Sequence, residues 1–348
     1  MALQNGVDLV LELPTVYAIS SAENFARGSI KVLEHLSKDV TLCFGSESGN
    51  LEVLDAFADV LCEEPAEYVS LLTHELSKGI SFPKARENAL LMYLNDIRKY
   101  ANTLSGSNNI LGVEYLKAIK QLRSSITPIT IKRANVEYNS LEPVGNFASA
   151  TAIRHMLKNE IDISPYVPAS TMEILQEELN YGKVISDISC FEKEILYILR
   201  KMSVEEIAKI ADVTEGLENR IKSACNNCNT VQELIALIKS KRYTQTRIQR
   251  ILLYCLLNIT KKDIADANKV KPYLRILGFN QKGKKLLSDI DMSKNQLVTS
   301  VKRFQEVNKN AILKNMLEKD ILASNIYTLG YEYDSKSNLD YTEKVIIH

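Results

Sequence analysis

The first 160 residues alternate between apolar runs and longer segments with helical spacing. Val7 to Leu13 is a nearly continuous apolar run ended by Pro14, which predicts a strand buried on both faces of a parallel sheet. Ala22 to Leu36 follows with apolar positions three and four apart, and Val40 to Phe44 is a second apolar run. The pattern therefore predicts a strand, a helix and a second strand.

Helices and one more strand follow. Leu51 to Tyr100 has helical periodicity, and the turn at Ser105 to Asn109 opens another helix. Ile126 to Ile131 predicts a third strand, and Ala150 to about Lys158 predicts the next helix. This alternation indicates an α/β fold with a doubly wound parallel sheet, in which ligands bind beyond the carboxyl ends of the strands. Four residues are expected at or near that edge: Gly45, Asn108, Arg133 and Ser149.

From about Asp162 onward the spacing is helical alone. It predicts helices at Ile174–Glu178, Glu192–Met202, Val204–Ala211, Leu217–Ala224, Thr230–Lys239, Thr246–Leu257 and Val298–Leu317. We therefore expect two domains, an α/β domain over residues 1–160 and an all-helical domain over residues 161–348.

The segment Ala148 to Arg154 predicts a phosphate-binding helix start. Ser149 and Thr151 can cap or line the first turn, whose free N–H groups and positive dipole end favour an anion. Arg154 lies one turn later, and an inward-facing guanidinium there can hold two phosphate oxygens. Most capped helix starts bind nothing beyond their own backbone, so both interpretations stand at this point.

Charge is distributed unevenly along a chain whose formal net charge is zero. Residues 1–100 hold 8 Lys/Arg against 15 Asp/Glu, a net −7, whereas residues 231–320 hold 19 against 8, a net +11. The most basic stretch runs from Lys239 to Arg250 and includes Lys241, Arg242, Tyr243 and Arg247. Basic groups with an aromatic beside them suit an RNA backbone and a stacked base, and a solvated helix start is the alternative.

Composition indicates a large globular core and gives no sign of a membrane anchor. The chain has 348 residues, 45% hydrophobic and 25% charged, with no apolar run of about 18 residues, so we expect a cytoplasmic protein. Its six cysteines suit reduced core thiols. Cys225 and Cys228 have the spacing of half a zinc site or a redox pair, but no second ligand pair accompanies them. Two incidental thiols are the favoured interpretation, and no metal site is expected.

Eight short segments between residues 7 and 278 occur in the order found in one enzyme family. They are Val7-Asp-Leu-Val-Leu-Glu-Leu-Pro14, Phe25-Ala-Arg-Gly28, Phe44-Gly-Ser-Glu47, Asn108-Asn-Ile-Leu-Gly112, Ala148 to Arg154, Lys241-Arg-Tyr-Thr244, Thr246-Arg-Ile-Gln-Arg250 and Pro272-Tyr-Leu-Arg-Ile-Leu-Gly278. Together they resemble the bacterial tRNA(Met) cytidine acetate ligases, which are related to the adenylate-forming, HIGH-type nucleotidyltransferases. The resemblance covers nearly the whole chain.

The resemblance implies a ligation in two steps. Acetate and ATP give acetyl-adenylate and pyrophosphate, and the N4 amine of the wobble cytidine of elongator tRNA(Met) then takes the acetyl group. Phosphate chemistry suggests Mg²⁺ with the ATP, and neither DNA nor a membrane is expected as a partner. The implied ATP-binding residues are Gly45, Asn108, Arg133, Ala134, Ser149, Thr151 and Arg154. The implied tRNA-binding residues are Lys241, Arg242, Tyr243, Arg247, Arg250 and Arg275.

The chain departs from the family at the His-x-Gly-His motif, whose two histidines stabilise the reacting phosphates. None of its four histidines lies three residues from another, so the catalytic residues stay unknown. Met1 to Gly6 reads as the last turn of a helix, which leads us to expect a fragment or a mis-called start, an incomplete sheet and impaired adenylation. The alternatives are a non-catalytic RNA-binding protein and a ligase with a small-molecule acceptor.

Overall fold

The structure is a computed structural model and describes residues 1–36, 39–96, 100, 103–133, 141–214, 216–290 and 296–348. The helices within these ranges are α1 (Thr15–Ala18), α2 (Ala22–Leu33), α3 (Leu51–Glu63), α4 (Ala66–Ser77), α5 (Phe82–Leu94), α6 (Ser107–Leu122), α7 (Ala150–Lys158), α8 (Ala169–Asn180), α9 (Glu192–Lys201), α10 (Val204–Lys209), α11 (Leu217–Asn226), α12 (Val231–Ile238), α13 (Gln245–Leu256), α14 (Lys261–Lys269), α15 (Gln281–Ser288), α16 (Val301–Val307), α17 (Ala311–Tyr327) and α18 (Leu339–Thr342). The strands are β1 (Leu9–Glu12), β2 (Thr41–Ser46), β3 (Thr127–Lys132), β4 (Leu274–Phe279), β5 (Leu297–Val298) and β6 (Ile346–Ile347).

The chain divides into two compact units. Residues 20–149 and 240–242 form the sheet unit, and residues 1–19, 150–239 and 243–348 form the helical unit. Residues 1–19 group with the helical unit because β1 pairs with β4. The assignment of residues 1–160 and 161–348 to two functional domains stays a prediction.

The sheet unit contains the parallel pair β2 and β3, as the apolar runs predict. The register places Gly45 beside Ile131 and Ser46 beside Lys132, so both strands end at one edge. Helix α6 packs against both α2 and α3. A side chain at Gly112 of α6 would place its Cβ 2.6 Å from the ring of Phe44, so glycine allows α6 to lie close against β2. This packing brings the start of α6 to the end of β2.

The helical unit buries one large cluster, in which Tyr17, Ile195, Leu199, Leu252 and Leu317 are each no more than 1% exposed. Its helices begin at caps that the sequence provides. Ser203, for example, forms a capping box with Glu206. None of the helices described is both long and apolar enough to span a bilayer.

Two expectations about strands were wrong. The run from Val7 to Leu13 forms β1, but β1 is half-buried and pairs antiparallel with β4, with Leu9 opposite Phe279. The region after residue 162 also contains β4, whose Leu274 and Ile276 alternate with more exposed neighbours. An apolar run indicates a strand but does not identify its partner, and this partner lies about 265 residues away. Gly6, which ends the predicted helical turn, has a φ of 93°, in the left-handed region that favours glycine.

Candidate functional site

Gly45 and Arg133 lie side by side at the carboxyl edge of β2 and β3. The Arg133 N–H donates to the Ser46 carbonyl oxygen at 2.9 Å, which continues the strand pairing by one residue. A Cβ at Gly45 would lie 3.3 Å from Cγ of Arg133, so the glycine leaves room for the arginine side chain to cross the strand. The structure therefore brings together two of the predicted site residues.

Asn108 joins this edge through Glu47, a residue to which the sequence analysis gave no role. Glu47 follows β2, and its carboxylate accepts hydrogen bonds from the start of α6. Oε1 accepts from the N–H and the side-chain Nδ2 of Asn108, at 3.1 and 2.7 Å, and Oε2 accepts from the N–H of Asn109 at 2.7 Å. Three donors on one carboxylate fix the end of β2 to the start of α6.

Burial alone would raise the pKa of Glu47, but the hydrogen bonds from Asn108 and Asn109 outweigh it and hold the pKa below its usual value. The carboxylate lies where the N–H groups and positive dipole end of α6 favour an anion. The protein thus supplies its own anion to this helix start, where the N–H groups of Asn108 and Asn109 already donate to Glu47.

We expect Glu47→Gln to lower the free energy of unfolding by about 1 kcal/mol at pH 7, because the amide keeps an acceptor but loses the charge-assisted bonds. A carboxyl whose pKa is lowered in the folded state stabilises the protein at pH values above its unfolded-state pKa. This stabilisation is lost as pH falls through the folded-state pKa. Urea unfolding at pH 7 and pH 3.5 measures the free energy of unfolding of wild type and Glu47→Gln. The difference between the two proteins should be smaller at pH 3.5. Glu63→Gln, at an exposed position at the end of α3, is the control. Equal stability of wild type and Glu47→Gln at pH 7 would contradict this role.

Helix α7 begins and ends where the sequence predicts, at Ala150 and Lys158. Ser149, just before it, is 3% exposed, and Thr151 is half-buried. The expectation that Arg154 faces inward was wrong, because its side chain is exposed. Ala152 and Met156, one turn apart, form the buried stripe, and a residue two positions after Ala152 points away from that stripe. Ala134 lies outside the described residues.

The two arginines of α13 share a face, as their spacing predicts, but both bind Asp212. Nη2 of Arg247 donates to the Asp212 carbonyl oxygen at 2.7 Å, and Nε of Arg250 lies 2.6 Å from Oδ2 of Asp212. Tyr243 is 8% exposed, with the Arg247 guanidinium 5.3 Å from its ring centre. Tyr243 is therefore covered by Arg247. Lys241 is exposed, like its neighbour Arg242.

Arg275 lies in a buried ionic cluster, which we define as Glu12, Tyr273, Arg275, Asp320 and Asp340. Its guanidinium is 2.9 Å from Oε2 of Glu12 and also pairs with Asp340. Asp320 accepts hydrogen bonds from Tyr273 Oη and, at 2.7 Å, from the Thr15 N–H. The side chain of Arg275 is only 11% exposed and is bound by the carboxylates of Glu12 and Asp340. This favours a structural role for Arg275 over the predicted tRNA contact.

The carboxylates of this buried ionic cluster are held in an unfavourable environment. Burial and then the charge of Asp320 raise the pKa of Glu12 to about 7, although Arg275 acts in the opposite direction. Burial also raises the pKa of Asp320 to about 6, against the hydrogen bonds from Tyr273 and Thr15. The positive charge of one guanidinium, that of Arg275, therefore acts on three acidic side chains, Glu12, Asp320 and Asp340.

Cys225 and Cys228 are both buried, and burial raises the pKa of each thiol. Arg200 donates to the carbonyl oxygens of both residues, at 3.2 and 3.0 Å. Within the described ranges, no group of three or more His, Cys, Asp or Glu side chains is placed to hold a metal ion.

Comparisons with known proteins agree with this architecture. The family model described as HIGH Nucleotidyl Transferase matches residues 1–342. A tRNA(Met) cytidine acetate ligase of Caldanaerobacter subterraneus subsp. tengcongensis is 43% identical over 349 residues, which cover 99% of this chain and 85% of the relative. The chain belongs to the tRNA(Met) cytidine acetate ligase family. A second such ligase, from Acetivibrio thermocellus, is 40% identical over 100% of this chain and 86% of its own length.

Solved structures extend the agreement with the tRNA(Met) cytidine acetate ligase family to the fold. The crystal structure of apo Thermotoga maritima TmcAL has a TM-score of 0.92 and 31% identity, and covers 99% of this chain and 86% of that one. TmcAL bound with alpha-thio ATP has a TM-score of 0.88 at the same identity, with 99% and 85% covered. These findings confirm the sequence-based resemblance and the HIGH-type α/β fold class. They do not test the individual site residues, which stay predictions.

Proposed function

We propose that this chain uses ATP to attach acetate to a cytidine of elongator tRNA(Met). The observation that carries the proposal is 43% identity over 99% of the chain to a relative that is named for this reaction. The alpha-thio ATP bound by the structurally similar TmcAL supports the choice of nucleotide. A tRNA substrate is consistent with a cytoplasmic location.

In the proposed first step, an acetate oxygen attacks the α-phosphorus of ATP, and pyrophosphate leaves with the electron pair of the broken P–O bond. In the second step, the N4 amine of the wobble cytidine attacks the acetyl carbon, loses a proton and releases AMP. Both steps depend on placing the reactants in line and balancing phosphate charge. Mg²⁺ suits this task, because it binds mainly through substrate phosphates and water, with one or two carboxylates.

We assign the nucleotide contacts to the residues that the family resemblance implies. At the strand edge, Gly45 permits close backbone approach, Arg133 brings a cation, and Asn108 keeps its side-chain oxygen as an acceptor while its Nδ2 binds Glu47. Thr151 and the exposed Arg154 of α7 are assigned to phosphate oxygens. Ser149 and Ala134 are kept as proposed members of this set.

We assign the main tRNA contacts to the exposed pair Lys241 and Arg242 within the basic half of the chain. Arg247 and Arg250 are assigned a smaller share, because both are half-buried, whereas Lys241 and Arg242 are exposed. Residues 161–348 are thus proposed as the tRNA-binding part and residues 1–160 as the part for ATP and acetate.

Lys241→Ala combined with Arg242→Ala should weaken tRNA(Met) binding and flatten its dependence on salt. Each lost phosphate contact lowers the slope of log K against log salt by about 0.9 or somewhat less. Titrations between 50 and 300 mM KCl, about the range over which such slopes are resolved, measure it. Lys269→Ala is the control, because Lys269 pairs with Asp266 at 2.7 Å. A slope unchanged from wild type would remove this pair from the tRNA contact.

A second candidate function is RNA binding without chemistry. It is favoured by the net +11 of residues 231–320, which suits an RNA backbone whether or not the chain carries out adenylation.

Acetate-dependent exchange of labelled pyrophosphate into ATP tests the first step. We expect exchange that requires acetate and proceeds without tRNA. Exchange that is absent at high protein concentration, together with intact tRNA binding, would favour the non-catalytic alternative.

A further inference from the structure

A cavity of about 310 Å³ in the helical unit is lined by residues that have no role in the assignments above. It is formed by α12, α13 and the 3₁₀ helix Ile188–Phe191. The residues that matter for its chemistry are Gln232, Gln245, Gln249, Lys239, Ile235 and Ala236. Its volume is at the small end of the range of small-ligand pockets, about 300 to 1,000 Å³.

Three side-chain amides converge on this cavity. Gln245 and Gln249 lie one turn apart on α13 and therefore share a face, and Gln232 comes from α12. Among the described residues, none supplies a hydrogen-bond partner to these three amides. Gln232 and Gln245 are exposed and Gln249 is half-buried, so the donors and acceptors of these amides face water and are accessible to a neutral, planar polar ligand.

The rest of the lining is apolar at the bottom and positive at the rim. Val231 and Ile235 are 1% and 7% exposed, and Lys239 is exposed at the end of α12. Asp187 also lines the cavity, but its carboxylate already pairs with Lys158 at 2.7 Å and accepts from Ser189. The cavity therefore combines an apolar surface, amides and one cation.

The cavity uses the face of α13 opposite to its arginines. Gln245 and Gln249 face the cavity, whereas Arg247 and Arg250 bind Asp212 on the other side. The contacts with Asp212 fix the position of α13 and so preorganise the amides on its opposite face.

We propose that this cavity binds one unpaired nucleobase of the RNA substrate, an inference that rests on the proposed function. Unpaired bases in RNA are recognised by hydrogen bonds to their edges, which present adjacent donors and acceptors like those of a glutamine amide. Ala236 and Ile235 contact the base, the glutamines bind its edge, and Lys239 lies at the rim, where the phosphate of the same nucleotide emerges.

The test measures coupling between protein and RNA. A set of tRNA(Met) transcripts, each with one unpaired nucleotide made abasic, is titrated against wild type and against Gln245→Leu with Gln249→Leu. We expect one abasic transcript to bind wild type about tenfold more weakly, the loss of two neutral hydrogen bonds, and to bind the double variant within about twofold of the intact transcript.

Two further variants test whether the lost coupling comes from the cavity and not from the removal of any surface glutamine. Ala236→Met fills the cavity from an exposed helical position without removing an amide, and should lose the same coupling. Gln176→Leu on α8, an exposed helical glutamine outside the cavity, should keep it. Equal losses for every abasic transcript in wild type and the double variant would overturn the cavity assignment alone. Failure of wild type to bind any transcript would overturn the proposed function as well.

Discussion

Arg275→Met is expected to lower the free energy of unfolding by about 3 to 5 kcal/mol at pH 7.5, the loss typical of removing one partner from a buried ion pair. The substitution leaves Glu12, Asp320 and Asp340 facing one another without a cation. Urea unfolding measures the change. Arg303→Met, at an exposed position of α16, is the matched control and should change stability by less than about 0.5 kcal/mol. A stable Arg275→Met protein would show that the buried ionic cluster does not depend on its arginine.

The same cluster predicts a pH dependence of wild-type stability. The pKa values of Glu12 and Asp320 are raised in the folded state, to about 7 and about 6, from 4.5 and 3.8. A carboxyl whose pKa is raised in the folded state contributes stability that is fully present at pH values below its unfolded-state pKa. This stability is lost as pH rises through the folded-state pKa. We therefore expect the contribution of these two groups to decline between about pH 4 and pH 7, and the Arg275→Met deficit to shrink at pH 5. A deficit that stays constant from pH 5 to pH 8 would argue against buried, titrating carboxylates.

Arg154→Ala should weaken ATP binding by about tenfold or more. A hydrogen bond to a charged group contributes about 1.5 to 3 kcal/mol, and 1.4 kcal/mol corresponds to a factor of ten. Titration with ATP measures the affinity without requiring turnover. The matched control is Lys158→Ala, one turn along the same helix, because Asp187 already neutralises Lys158 at 2.7 Å. Wild-type affinity in Arg154→Ala would remove this residue from the phosphate contacts.

The sequence predicts the local elements of this protein well. The limits of α7 are correct, and β2 and β3 are parallel as expected, because their periodicity and flanking turns are encoded within a few residues. The spacing of Ala152 and Met156 also contains the information that Arg154 is exposed, which the expectation of an inward-facing arginine overlooked. Local patterns therefore identify elements and, when followed closely, the faces of helices.

The sequence does not predict which distant residues form ion pairs and hydrogen bonds with one another. Arg275 was assigned to RNA from the family resemblance, whereas its partners Glu12 and Asp340 lie far from it in the chain. Glu47 reads as an ordinary acidic residue after a strand, and its role depends on the start of α6, about 60 residues later. The arginines of α13 were predicted to share a face, but the spacing does not reveal that Asp212 binds them.

The most direct test of the central claim is the transfer of labelled acetate to tRNA. The chain is incubated at high concentration with ATP, ¹⁴C-acetate and elongator tRNA(Met), and in parallel with a transcript whose wobble cytidine is replaced by uridine. We predict label in the cytidine transcript only, and only with ATP. Equal labelling of the two transcripts, or none in either while tRNA binding persists, would contradict the assignment of this chain as a tRNA(Met) cytidine acetate ligase.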